Sequence, residues 1–241
     1  KYKYWQPIFT NSEKPLFSNF QKSKSELKSI LLNVLNDQLY SEREMGIFFS
    51  GGIDSSLIAA LVKKELGINL NCFTCGFSND LDANSYDETE FASKICNDLN
   101  LPHIVRRINT SDVVETLPKM ARIFSEPFAD ISQLGAYIIS QKAREEGIVV
   151  ALGGDGGDEL FGGYGRIFRS PHDYYMSQNP ILSKLINYNS NTDIKKIYST
   201  KIEHFLSRYA WFSNEEKKDF FNKDFLNNNN DEYSNQYVND L

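Results

Sequence analysis

An α/β fold built on a parallel sheet with helices on both faces is what this sequence predicts, and three observations predict it. Apolar runs of strand length alternate with stretches of helical periodicity along residues 45–152, the pattern of successive βαβ units. The last run, "IVVAL" at 148–152, is apolar throughout, as a parallel strand covered on both faces is. Glycine-rich segments follow the first and last runs directly, at the strand ends where open α/β sheets bind their ligands.

Taken in order, residues 1–19 read as an arm or linker, with Tyr2, Tyr4 and Trp5 packed on the body of a domain spanning 20–169. "MGIFFS" (45–50) is a strand that stops at the glycines. Residues 55–66 carry Leu57, Ile58, Leu61, Val62 and Leu66 at helical spacing, and Gly67 ends that helix. "INLNCFTCGF" (68–77) is the second strand. Ser85 and Glu88 have the spacing of a capping box, opening a helix whose buried stripe is Phe91, Ile95 and Leu99. "HIVRRI" (103–108) is the third strand. Residues 111–124 are helical in pattern but contain Pro118, which predicts a bent or split helix. Residues 133–146 form a clearer helix marked by Leu134, Tyr137, Ile138 and Gln141 and closed by Gly147, before the fourth strand at 148–152. Right-handed crossovers follow from this order. Residues 170–241 change character: rich in Asn, Lys, Tyr and Phe, they read as a helical C-terminal segment with a low-complexity run at 227–230.

Composition narrows the function. A net charge of −6 and a pI near 5.2 argue against a non-specific nucleic-acid binder. No run of eighteen apolar residues is present to span a membrane, and "KYKYWQPIFT" has no apolar core of a signal peptide. Three cysteines fit free thiols in a reducing, cytoplasmic setting.

The chemistry sits in the two glycine-rich segments. In "FFSGGIDSS" (48–56) a strand runs through Ser50, Gly51 and Gly52 into a helix N-terminus, where free amides and the helix dipole favour an anion. A tight capped turn would be the plainer reading, but two consecutive glycines cost entropy that such a turn does not require. Ser50, Ser55 and Ser56 add hydroxyl donors, while Asp54 would repel a bare phosphate and so suggests a bridging Mg²⁺. No Lys follows the glycines as in a Walker A loop. The second segment, "GGDGGDELFGGY" (153–164), packs six glycines and three acids into twelve residues. Counted from Asp155, its twelfth position is Arg166, not the Glu of an EF-hand, and the last glycine of a dinucleotide fingerprint is replaced by Glu159. What remains is a carboxylate-bearing loop facing the first, able to share metal ions and handle protons.

Together, S-G-G-I-D-S-S and G-G-D-G-G-D-E-L-F-G-G-Y resemble the synthetase domain of the asparagine synthetase family, a member of the N-type ATP pyrophosphatases. "SYDETEFASKICNDLNLPH" and "EPFADISQLGAYIISQKAREEG" resemble it too, and the likeness covers roughly residues 1–225. The resemblance implies an adenine nucleotide alpha-hydrolase-like fold and an AMP-forming amide ligase. In it Ser50, Gly51, Gly52, Asp54, Ser55 and Ser56 hold the pyrophosphate of ATP, and Phe48, Cys75, Gly153 and Gly154 surround the adenosine. It also implies that Asp54 and Asp158 hold Mg²⁺ and that Asp155 accepts or orients a proton, at a position where typical bacterial members carry Glu. Members acting on aspartate can carry Arg in the segment matching Ile131, which leaves the acceptor carboxylate open, aspartate or another. The implied partners are that small-molecule acid, ammonia and a glutaminase domain or subunit, without nucleic acid or membrane. Glutamine-using members begin with a catalytic Cys and continue past the point matching Leu241 with a catalytic Lys, so the resemblance implies an excised domain. The alternatives are a related adenylating enzyme with another substrate and a non-catalytic nucleotide-binding protein.

Other residues invite assignments that the pattern does not support. Cys72 and Cys75 lie three apart in a strand, on opposite faces, and no second CxxC completes a tetrahedral site, which argues against a metal or redox centre. His103, His172 and His204 lack metal-ligand spacing and read as surface or packing residues, and Asp87-Glu88 reads as serving a helix N-terminus.

Overall fold

The structure of the protein is a computed structural model that describes residue 4, residues 19–81, 87–124, 130, 132–165, 174, 175 and 178. The elements are α1 (Phe20–Gln38), β1 (Met45–Phe48), α2 (Ile53–Ala60), a π-helical turn (Leu61–Glu65), β2 (Asn71–Phe77) and α3 (Thr89–Leu99). β3 (His103–Ile108), α4 (Thr110–Ile123), α5 (Ser132–Glu145), β4 (Val150–Leu152) and α6 (Gly157–Phe161) complete them. The chain divides into two compact units, Lys1–Asp155 and Gly156–Leu241, and the whole sheet belongs to the first. Among the described residues no helix is long and apolar enough to cross a membrane.

All four strands are parallel, in the order β3-β2-β1-β4. Ile47 pairs with Cys72, and both lie in a cluster with Leu35, Ala59, Val62 and Cys96, which brings α1, α2 and α3 to one face. The next residues along each strand, Phe48 and Phe73, belong to a second cluster with Ile139, Ala143 and Ile148, so α5 covers the other face. This is the two-residue alternation of a pleated strand, and the expected helices on both faces follow from it. Cys72 and Cys75 divide between the same two clusters, as their spacing requires.

Local chemistry sets the helix ends. Asn19 caps α1 by accepting from the Gln21 amide at 2.8 Å, and Gly67 and Gly147 leave their helices at φ of 70° and 83°. Asn109 and Asp112 form a reciprocal capping box at the start of α4, each side chain accepting from the other's amide at 2.9 Å. α4 runs through Pro118 as one helix and is not split there, with Thr116 and Met120 buried on either side of the proline.

Other expectations are corrected. The helix after the second strand starts at Thr89, so Glu88 stands at its N-cap, makes no side-chain cap bond and is not the third residue of a capping box; Ser85 lies outside the described residues. Its buried residues are Thr89, Ala92, Cys96 and Leu99, with Ile95 packed against the same cluster, whereas Phe91, expected on that stripe, is 59% exposed. Among the described residues β4 lies at the edge of the sheet, parallel to β1 as expected, with Leu152 buried and Val149, just before the strand, exposed. Tyr4 is 98% exposed and does not pack as an arm residue. The helical expectation for 170–241 lies outside the described residues, apart from Tyr174, Tyr175 and Gln178.

Asp87 does serve a helix N-terminus, and it joins three elements. Its carboxylate accepts from the Thr89 amide (2.9 Å) and hydroxyl (2.5 Å) at the head of α3, from the Phe77 amide (3.1 Å) ending β2, and from Arg107 (2.8 Å) on β3. Burial alone would raise its pKa, but the Thr89, Phe77 and Arg107 donors reverse that and hold it at about 2. Gly76 makes this junction possible, since a Cβ there would stand 2.5 Å from Thr89 Cγ2.

Candidate nucleotide-binding site

β1 and β4 are neighbours, so the two glycine-rich segments leave the same sheet edge side by side. In the first, Gly51 takes φ of 81°, a left-handed conformation that suits glycine. A Cβ there would lie 3.0–3.2 Å from the backbone and side chain of Ala92, so the loop rests directly on α3. Ser50 Oγ accepts from the Gly52 amide at 3.1 Å and lies 3.1 Å from Ser55 Oγ, which itself reaches the Gly52 carbonyl at 3.4 Å. These bonds shape Ser50, Gly52 and Ser55 into one turn. Gly52 is the N-cap of α2, so Ile53, Asp54 and Ser55 present first-turn amides that have no carbonyl one turn back.

Ser56 contributes the clearest sign of an unmet partner. Its hydroxyl is buried and makes no hydrogen bond, a condition that costs about 1–3 kcal/mol unless a ligand supplies the partner. With the free amides, the dipole of α2 and the close approach allowed by two glycines, the donor set suits the oxygens of a phosphate.

The second segment closes on the first at Gly154. A Cβ on Gly154 would lie 2.9 Å from the Ser55 amide nitrogen and 3.0 Å from Asp54 Cβ. Two loops a hundred residues apart thus meet at van der Waals contact, and Asp54 stands half-buried at the seam. The Asp155 carboxylate turns back over Gly153, within the space that a Cβ on Gly153 would need, and the residue is exposed. Asp158 lies in the second unit, in the first turn of α6, with its side chain folded over Gly163 and its carbonyl accepting from the Gly162 (2.7 Å) and Gly163 (3.1 Å) amides.

The expected adenosine residues are distributed as follows. Phe48 and Cys75 end up on one face of the sheet, half-buried against the Phe73 cluster near the carboxyl ends of β1 and β2. The start of α5 crosses Cys75, whose Sγ would lie 3.8 Å from a Cβ at Gly135. Burial raises the Cys75 thiol to about 11, Arg106 lowering and Asp112 and Asp87 raising it, so it is a neutral lining group. Gly153 and Gly154 follow β4 directly. Among the described residues no group of three or more His, Cys, Asp or Glu side chains is placed to hold a metal unaided. Ile131 lies outside the described residues, as do His172 and His204.

Sequence reasoning missed the support behind the first loop. Thr74 donates to the Phe49 carbonyl at 2.5 Å and lies 2.7 Å from His103 Nε2, while His103 Nδ1 lies 3.1 Å from Ser93 Oγ. His103 is thus a half-buried, doubly bonded packing residue. No local pattern could have revealed it, because Thr74, Ser93 and His103 come from three elements and Phe49 from the loop after β1.

A family model described as asparagine synthase matches residues 26–237. An asparagine synthetase [glutamine-hydrolyzing] 1 from Bacillus subtilis is 32% identical over 69% of this chain and 25% of its own length. The human asparagine synthetase [glutamine-hydrolyzing] is 30% identical over 68% of this chain and 30% of its own. The chain therefore spans between a quarter and a third of the curated relatives it matches. Among solved structures, an NH3-dependent NAD synthetase from Campylobacter jejuni aligns with 78% of this chain and 82% of its own at 23% identity and a TM-score of 0.38.

Proposed function

Because the chain belongs to the asparagine synthase family, we propose that its two glycine-rich loops form the ATP site of an AMP-forming amide ligase, with aspartate as the acceptor acid and ammonia as the nucleophile. The observation that carries this reading is the contact of Gly154 with Asp54 and Ser55, which makes one site of two loops.

In this reading the first-turn amides of α2, together with Ser50, Ser55 and the partnerless Ser56 hydroxyl, bind the β- and γ-phosphates. Phe48, Cys75, Gly153 and Gly154 line the adenosine. An oxygen of the acceptor carboxylate attacks the α-phosphorus, the bond to the bridging oxygen breaks, and pyrophosphate leaves an acyl-adenylate. Donors fixed where negative charge grows on that leaving group supply the largest catalytic term. Ammonia then forms the amide bond as AMP departs, and Asp155 takes up the proton that nitrogen loses. Asp54 would hold Mg²⁺ together with phosphate oxygens, which is how this ion is usually bound, and there the ion would neutralise charge on pyrophosphate. Ammonia comes from a glutaminase domain or subunit. The three free cysteines agree with work in the cytoplasm.

Calorimetry with ATP and AMP, and aspartate-dependent ATP–pyrophosphate exchange, test this function. Both nucleotides are expected to bind. Asp54→Ala is expected to weaken MgATP by about tenfold, the value of one charge-assisted contact, and AMP by less than twofold. Equal losses for the two nucleotides would remove the metal role of Asp54, and binding of neither by the wild-type chain would overturn the site.

A further inference from the structure

The support behind the first loop has a direction that follows from elementary donor rules. The Phe49 carbonyl oxygen can only accept, so the single Thr74 hydroxyl proton goes to it across 2.5 Å. Thr74 Oγ1 must then accept from His103 across 2.7 Å, which places the ring proton on Nε2. Nδ1 is left with its lone pair and accepts from the Ser93 hydroxyl at 3.1 Å. The relay Ser93 → His103 → Thr74 → Phe49 therefore works with one tautomer of a neutral ring. Burial lowers the pKa of His103, in keeping with that state, and the Phe49 ring meets the imidazole edge-on at 6.4 Å between centroids.

Both ends of the relay adjoin residues of, or in contact with, the loop. Ser93 follows Ala92, the residue on which Gly51 is seated, and Phe49 immediately precedes Ser50. The peptide from Phe49 to Ser50 is trans and planar, so pinning the Phe49 carbonyl also aims the Ser50 amide in the opposite direction. On the other side the Phe49 amide donates to Phe73 at 2.8 Å, which holds the chain to β2 up to the start of the loop.

We propose that His103 is a positioning residue for the phosphate loop: through Nε2–H and Thr74 it fixes the Phe49–Ser50 peptide plane, and with it the direction in which the loop offers its first amide. The inference rests on the reading of this loop as the nucleotide site, and goes beyond it by giving a role to a residue that touches no ligand.

The test compares His103→Gln, whose side-chain amide N–H can replace Nε2–H, with His103→Met, which fills similar volume without a donor, and with Thr74→Val. Three measurements apply to the full chain: amide hydrogen exchange at Ser50 and Gly51, the ¹⁵N shifts of the wild-type imidazole, and ATP affinity by calorimetry. The wild-type ring is expected to show the Nε2–H tautomer at neutral pH. Exchange at Ser50 and Gly51 is expected to quicken about tenfold in the Met and Val variants and less than twofold in the Gln variant, with ATP affinity changing in parallel. The Met and Val changes combined are expected to add little to either alone, since both cut one relay. An Nδ1–H tautomer, or Gln and Met variants that behave alike, would overturn the proposal. Wild-type chain that binds no ATP would overturn the nucleotide reading instead, and the exchange and tautomer results would still decide for or against His103.

Discussion

Valine at position 154 is expected to weaken ATP binding by about a hundredfold or more while leaving the parallel sheet folded. The space a Cβ would need at Gly154 is held by the Ser55 amide nitrogen at 2.9 Å, Asp54 Cβ at 3.0 Å and the Asp54 carbonyl carbon at 3.3 Å. None of these is the tip of a flexible side chain; all belong to or adjoin the backbone of the first turn of α2. One of the two loops must therefore retreat. A displacement near 1 Å costs about 10² in the rate of a positioned step, and affinity is expected to fall on that scale because the same first-turn amides hold the phosphates. The backbone of Gly154 is not in the left-handed region, so the loss is steric and alanine should fall between wild type and valine. The pairs of β1 with β4 end at Ile47 and Leu152, before the substituted residue, which is why the sheet should survive. Calorimetry gives the affinity and circular dichroism the fold. Wild-type affinity in the valine variant would mean that the loops do not act as one site.

Asp87→Ala is expected to lower the free energy of unfolding by about 3 kcal/mol at neutral pH, roughly one for each donor left without its acceptor. Those donors are the Phe77 amide, the Thr89 amide and the Thr89 hydroxyl, and Arg107 loses its ion pair as well. The effect depends on pH with a definite sign. The folded pKa is depressed to about 2 from 3.8, so the unfolded chain binds more protons between those values. The carboxylate's contribution is complete above 3.8 and is lost as pH falls through about 2. This part amounts to roughly 1–2 kcal/mol, the lower end allowing for solvent around Arg107. Urea unfolding of both proteins at pH 7 and near the folded pKa checks it: the gap between wild type and variant should narrow in acid, and a gap that widens would contradict the assignment.

What the sequence reveals and what it hides follow one physical rule. His103–Ile108 is a strand in both the sequence pattern and the structure, and the segments beginning at Ser50 and Gly153 sit on one sheet edge as expected, because apolar runs and glycines are local signals. α1 was not anticipated: Leu35 is the buried residue it supplies, so its apolar stripe is faint. Asp87 takes the Thr89 amide at the head of α3, and the helix starts later than the spacing of Ser85 and Glu88 implies. The relay behind the loop was illegible for a stronger reason. Phe49, Thr74, Ser93 and His103 become neighbours through the pairing of β2 with β3 and the packing of α3, not through any spacing along the chain. Asp155 and Asp54 were legible as acids in glycine-rich loops, whereas the contact at Gly154 needed the β1–β4 register.

That register also sets a timetable. Met45 pairs with Val150, so β1 waits for a partner 150 − 45 = 105 residues further along the chain. The ribosome adds about 5–20 residues per second, which makes the wait roughly 5–20 s during synthesis. Strands β1, β2 and β3 are complete by Ile108 and can zip together first, since each pairs with the next in sequence. β1 keeps one open flank until β4 arrives, and long-range parallel pairing of this kind is the slow, exposed part of folding. The seam between the two loops forms only after that closure. A nascent chain therefore pairs β1, β2 and β3 before the seam between its two glycine-rich loops can form.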